Sequence, residues 1–87
     1  MSENDILVVS ETSRDAKAAF IQFKDIFFDR PWVKRMFTHP VPMFELANGA
    51  EIIFVSKAEL PKKRVGFRGW VCTDDMINQV VRQKYGH

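Results

Sequence analysis

FELANGAEIIFVSKAELPKKRVGFRGWVCTDD, residues 44–75, carries the pattern that decides the fold. Two short runs rich in branched and aromatic side chains, 44–46 and 51–55, flank Asn48-Gly49, the dipeptide that best accepts positive φ at both central positions of a type I′ turn. A hairpin with a two-residue loop is predicted. Its register pairs Phe44 with Ile53 and Leu46 with Glu51 on one face, and leaves Met43, Glu45, Ile52 and Phe54 on the other. Both faces are then mostly apolar, which predicts a sheet covered on two sides, or on one side by a second copy of the chain. Pro61 and Gly66 bound a basic loop, residues 70–73 form a last strand, and Asp74 and Asp75 close the run. Residues 74–85 follow as a terminal helix with Met76, Ile77, Val80 and Val81 on its inner side.

Upstream, residues 6–9 are a short aliphatic run, long enough for a buried strand and too short for a helix. Residues 10–13 break it, and Thr12 with Asp15 three positions later approximates a capping box. A helix is expected from there, with Ala16, Ala19, Phe20, Phe23 and Phe27 recurring at three- and four-residue intervals along one buried face. It must end or bend before Pro31, which has no amide donor and restricts the residue before it. Because proline suits a first helical turn, residues 31–37 are expected to form a second, short helical segment. The order is strand, helix, hairpin, strand, helix. That predicts one small α/β domain over residues 1–87, with a mixed sheet of about four strands, helices packed on it, and the first and last strands parallel and adjacent.

With 87 residues, 46% hydrophobic, eight Phe and two Trp, the chain has apolar material for one modest core. A single cysteine, Cys72, excludes an internal disulfide, and the opening MSENDILVV lacks the pattern of a signal peptide. A reducing, cytoplasmic setting is expected. No apolar stretch approaches the ~20 residues that span a bilayer. The net charge of +2 is uneven: residues 1–29 sum to −3 and residues 57–68 to +4. Such asymmetry suits a polyanion or an acidic partner, or a solvated loop beside a negative helix.

The sequence of a strand, an Asn-Gly turn, a second strand, a loop with Arg-Gly (Arg68-Gly69) and an apolar run ending in two acids resembles the middle of the motor ATPase domain of phage large terminases. ILVVSETSRDAKAAFIQF, residues 6–23, is similar to the strand and helix that precede this stretch in those DNA-packaging motors. The resemblance implies a viral protein, acting in the host cytoplasm, with Asp74 at the position of the magnesium-holding carboxylate and Asp75 at that of the catalytic one. The family usually has Glu where Asp75 stands, and an apolar residue where Thr73 stands. No G-x-x-x-x-G-K-[ST] occurs, so no phosphate cradle is present and ATP hydrolysis should be negligible.

Asp74 and Asp75 are the candidate metal ligands; equally, Asp74 or Thr73 can cap the terminal helix, where its dipole favours negative charge. Neither His39 nor His87 has metal-ligand spacing, and both are expected to be solvated. Cys72 reads as a buried, inert thiol, and Ser10, Ser13 and Ser56 lack a nucleophile-elbow context. In the segment 62–70, Lys62, Lys63, Arg64 and Arg68 could neutralise phosphates while Phe67 or Trp70 stacks on a base, with Arg30, Lys34 and Arg35 extending the surface. The plainer alternative buries Phe67 and Trp70 and leaves only the cations in water. The expected protein is a non-catalytic interaction or regulatory module without a cofactor, whose partner is another protein or a second copy met through the hairpin. A nucleic-acid-binding accessory protein, non-specific for DNA or RNA, is the alternative.

Overall fold

The structure, a computed structural model, describes residues 5–27, 29–38 and 41–85, with the side chains of Lys63, Arg64, Asn78, Val81, Lys84 and Tyr85 left aside. The expectations for His39, His87 and the Val81 side chain therefore lie outside the described residues. Chain order is β1 (Ile6–Ser10), α1 (Ser13–Phe27), β2 (Val33–Phe37), β3 (Met43–Leu46), β4 (Glu51–Ser56), α2 (Leu60–Arg64), β5 (Trp70–Thr73) and α3 (Ile77–Tyr85). The five strands form one mixed sheet in the order β2-β3-β4-β1-β5. As expected, β1 and β5 are parallel neighbours, with Val8 opposite Cys72; on its other side β1 runs parallel to β4, with Val8 opposite Phe54. The strands β2, β3 and β4 form an antiparallel meander.

Helix α1 begins where its cap predicts, the Thr12 hydroxyl accepting the Asp15 amide at 3.1 Å. Ala16, Ala19, Phe20, Phe23 and Phe27 are all buried, and they meet the face of the sheet that carries Ile6, Val8, Phe44, Leu46, Ile52 and Phe54. Phe20 stacks on Phe44 at 5.0 Å, Phe27 meets the edge of Phe44 and packs against Trp32 at 5.2 Å, and Phe54 meets Phe20 and Phe44 edge-on. Such ring pairs contribute about 0.5–1.5 kcal/mol each beyond their area, so this cluster fixes where α1 crosses the sheet. Ile77 and Val80 bring α3 onto the same core.

Four expectations are corrected. Residues 33–37 are a strand, β2, and not part of a helix: the Val33 amide bonds to the Arg30 carbonyl at 3.1 Å, so Pro31 opens a β-turn rather than a helical turn, and the sheet gains a fifth strand. The hairpin loop has three residues, 47–49. Gly49 alone takes positive φ, at 87°, and its amide bonds to Leu46, while the Asn48 side chain accepts the Ala50 amide at 3.0 Å. One extra loop residue shifts the register by one, pairing Phe44 with Ile52 and Glu45 with Glu51. All the apolar rings of the hairpin thereby turn inward, and Met43, Glu45 and Ile53 face the other way. The basic segment opens as a short helix, α2, with Pro61 in its first turn, where no amide donor is needed. Finally, residues 74–76 form a turn, closed by the Met76 amide on the Thr73 carbonyl, so α3 starts at Ile77 and Met76 is exposed rather than inward.

Candidate functional site

Strand β5 is an outer strand attached at its start by one buried acid. Asp5 is 2% exposed; its carbonyl accepts the Trp70 amide at 2.8 Å and its carboxylate accepts the Glu51 amide at 2.9 Å, tying the entrances of β5 and β4 to that of β1. The chain passes so close that a Cβ on Gly69 would lie 2.0 Å from the Asp5 carbonyl oxygen. Only glycine fits there. Beyond β5 no further strand pairs among the described residues, and Trp70 (49%) and Val71 (38%) stand partly exposed on it.

The second face of the sheet is covered less completely than the first. Leu7, Val9 and Val55 are buried there under Leu60 of α2 and under Phe67, with Ile53 beside them. Toward β5 this cover stops, and an apolar groove of about 520 Å³ opens, lined by Val9, Lys57, Leu60, Val71, Thr73 and Met76. Between Val71 and Thr73, Cys72 turns its side chain to the opposite face, where the thiol is buried in the cluster of Ile6, Val8 and Ile77. Burial first, then the negative charges of Asp74 and Asp75, push its pKa up to about 11. That thiol is un-ionised at neutral pH and is a poor nucleophile.

Where the parallel strands end, a rim of hydroxyls and carboxylates is tied into pairs. The buried Ser10 hydroxyl donates to Asp74 at 3.0 Å, and the buried Ser56 hydroxyl and amide both donate to Glu59 at 3.1 and 3.2 Å. Lys57 reaches Glu11 at 2.7 Å between exposed side chains. The Thr73 hydroxyl donates to Asp75 at 2.5 Å, and this bond, with one from the backbone, draws the Asp75 pKa below its ordinary value. Asp74 and Asp75, the candidate metal ligands, thus bond to β-strand hydroxyls. Among the described residues no group of three or more His, Cys, Asp or Glu side chains could hold a metal ion. Sequence reasoning missed Ser10, Ser56, Glu11, Lys57 and Glu59. The available signal was the repeated pattern of an apolar run ending in serine and a charged residue, Ser10-Glu11 and Ser56-Lys57.

The basic candidates do not form one surface. Lys62 and Arg68 are exposed, Phe67 packs on the second face, and Trp70 is half exposed; the side chains of Lys63 and Arg64 lie outside the described residues. Phe67 therefore follows the plainer alternative and Trp70 does not. Arg30 is exposed in the turn before β2, and Lys34 and Arg35 lie on β2, where both approach Glu45, at 3.7 and 3.4 Å. Three strands separate β2 from β5, roughly 19 Å at ordinary strand spacing, so the two groups of cations are at opposite edges. Among the described residues no helix is long and apolar enough to cross a membrane.

No protein-family model matches this chain, no curated protein matches it, and no solved structure matches it.

Proposed function

We propose that this chain is a non-catalytic protein-interaction module that engages its partner through the outer edge of β5 and the groove beside it. The observation that carries the reading is the coincidence of a strand whose outer edge meets no further strand among the described residues with an apolar groove lined by Val9, Leu60, Val71 and Met76. An open strand offers main-chain hydrogen bonds to an extended segment, and the adjoining apolar surface selects its side chains. Descent from a terminase-like motor, a viral source and action in the host cytoplasm belong to the same proposal, supported by the adjacency of β1 and β5 and by the acids that follow β5. With no phosphate cradle in the sequence, the acids serve the fold by accepting from Ser10 and Thr73.

The test is affinity capture from native or infected cells under nuclease treatment, with wild type beside Val71→Lys. A protein retained by wild type and lost with the variant is the expected result. Equal capture by a variant that folds normally overturns the reading.

Exposed Lys62 and Arg68, with half-exposed Trp70 next in the chain, favour nucleic-acid binding as the second reading. It predicts weak, sequence-independent binding, and replacement of Lys62, Lys63, Arg64 and Arg68 by Ala should flatten the salt dependence by roughly 0.7–0.9 log units for each phosphate no longer neutralised. Absence of any shift of single- or double-stranded probes at low salt removes it.

A further inference from the structure

Resting on the reading of β5 as the interaction edge, we infer that the partner it fits is a second copy of this chain, joined β5 to β5 in antiparallel fashion across a two-fold axis through Val71. The backbone sets the register. The Trp70 amide is turned inward to Asp5, and β-strand peptides alternate, so the Val71 amide and carbonyl point outward from the sheet. In a two-fold antiparallel pair a residue that points outward can exchange both of its hydrogen bonds with its own copy. Val71 sits near the middle of the four-residue strand, and pairing Val71 with Val71 of the other copy sets Gly69 opposite Thr73 and Trp70 opposite Cys72.

Charge supports the same arrangement. The residue before Gly69 is the exposed Arg68, and the residue after Thr73 is Asp74, with Asp75 next. Just beyond the paired residues, the Val71 register brings Arg68 at the entrance of each strand beside the turn at the exit of the other, where Asp74 accepts from Ser10 and Asp75 follows, so basic entrance meets acidic exit twice per dimer. A parallel arrangement would set like charges together instead. Apolar exposure follows the same line, because Val71 meets its own copy across the axis and the grooves containing Met76 become neighbours. Two five-stranded sheets would join into one of ten strands. The contact is distinct from the hairpin expected from the sequence, since β3 and β4 are interior strands.

Light scattering and sedimentation on the intact chain test this, with folding of each variant checked by circular dichroism. Wild type should dimerise reversibly. Val71→Lys places two like charges directly opposite each other and should raise the dimer dissociation constant more than about tenfold. Arg68→Glu and Asp74→Lys should each be monomeric alone, and their equimolar mixture should recover the dimer, because both cross-axis pairs become opposite in sign only in the mixed species. Wild type that stays monomeric at high concentration, a Val71→Lys variant of unchanged dimer affinity, or a mixture that fails to recover the dimer overturns the self-pairing. If wild type is monomeric while Val71→Lys still loses a captured protein, the self-pairing falls and the interaction module stands.

Discussion

The two edges of the sheet are built differently. At one edge, β2 carries Lys34 and Arg35, both drawn to Glu45 of the neighbouring strand, and its pairing is interrupted by a register shift between Val33 and Arg35. Charges and irregularity are the ordinary protections of an edge against further strand pairing. At the other edge, β5 reads Trp-Val-Cys-Thr, without a charge on the strand and with Trp70 and Val71 partly exposed. Among the described residues, then, one edge carries charge and irregularity and the other pairs with no further strand, which gives the sheet a direction in which it can be extended. The same contrast holds between the faces, one sealed by α1 and α3 and the other covered by α2 and Phe67 only as far as the groove.

The strongest way to break this comparison is to detach β5. Gly69→Ala drives a methyl group into the Asp5 carbonyl, a backbone atom that cannot swing aside, so β5 or the entrance of β1 must shift. A loss of about 3 kcal/mol or more is expected by chemical denaturation. If the variant unfolds at the wild-type midpoint, the close approach of Gly69 to Asp5 does not occur in solution. Asp5→Ala is milder, removing the acceptor for the Glu51 amide while keeping the carbonyl that holds Trp70. It should cost about 1–3 kcal/mol, and Asp5→Asn, which retains an acceptor, should cost less. Equal losses in the two variants would mean that the acceptor oxygen is not what Asp5 supplies.

The third test uses pH on β5 itself. Burial raises the Cys72 pKa from 9.0 to about 11 in the folded chain. A raised folded value means that the folded state keeps its proton where the unfolded chain has lost it. Stability from this source is complete below pH 9 and declines as pH rises from about 9 to about 11. Cys72→Ser has no such titration, so the difference in unfolding midpoint between wild type and variant should change across that window. A constant difference would show that the thiol is not buried against the sheet.

Much of this architecture is legible in the sequence, for reasons that also explain what is not. The period of α1 and its Thr12 cap are local signals, and the structure reproduces them residue by residue. The apolar run of β1 is equally plain, because a parallel interior strand has little choice but to be apolar, and β5 is apolar by composition although it lies at the edge. Pro31 opens a turn or a helix equally well, and β2 is stabilised by pairing with β3, a contact that local propensity does not report. The Asn48-Gly49 dipeptide marks the turn but not its length, since Asn48 acts through its side chain and one residue more in the loop inverts every face of the hairpin. Of the candidate site, the basic residues are visible as composition, yet their division between opposite edges depends on strand order. Ser10 and Ser56 end apolar runs in the sequence, but their partners Asp74 and Glu59, and the role of Asp5, become visible only when the ends of the strands are brought together.

The guarded edge can be sharpened by unguarding it. Lys34→Val with Arg35→Val removes two exposed ion pairs to Glu45, and such pairs contribute at most about 1 kcal/mol each, so the unfolding midpoint should move little. Association should change more than stability: with both cations gone, β2 presents an apolar edge, and light scattering should show species larger than those of wild type. Unchanged mass would mean that the register shift alone is enough to close this edge.

The smallest effect is expected at the exit of β5. The Thr73 hydroxyl bond holds the Asp75 pKa below its ordinary 3.8. A lowered folded value favours the ionised form in the folded state, so its contribution is present above pH 3.8 and is lost as pH falls through the folded pKa. Because Asp75 is fully exposed, stability is the wrong readout, and the carboxylate should be followed directly by NMR titration. Thr73→Val should return the Asp75 midpoint toward its ordinary value, by removing the first of the two bonds that lower it, while leaving the unfolding midpoint nearly unchanged. An Asp75 titration identical in wild type and variant would separate the acid from its strand, and would remove the ordered exit on which the proposed pairing of Asp74 with Arg68 of a second copy depends.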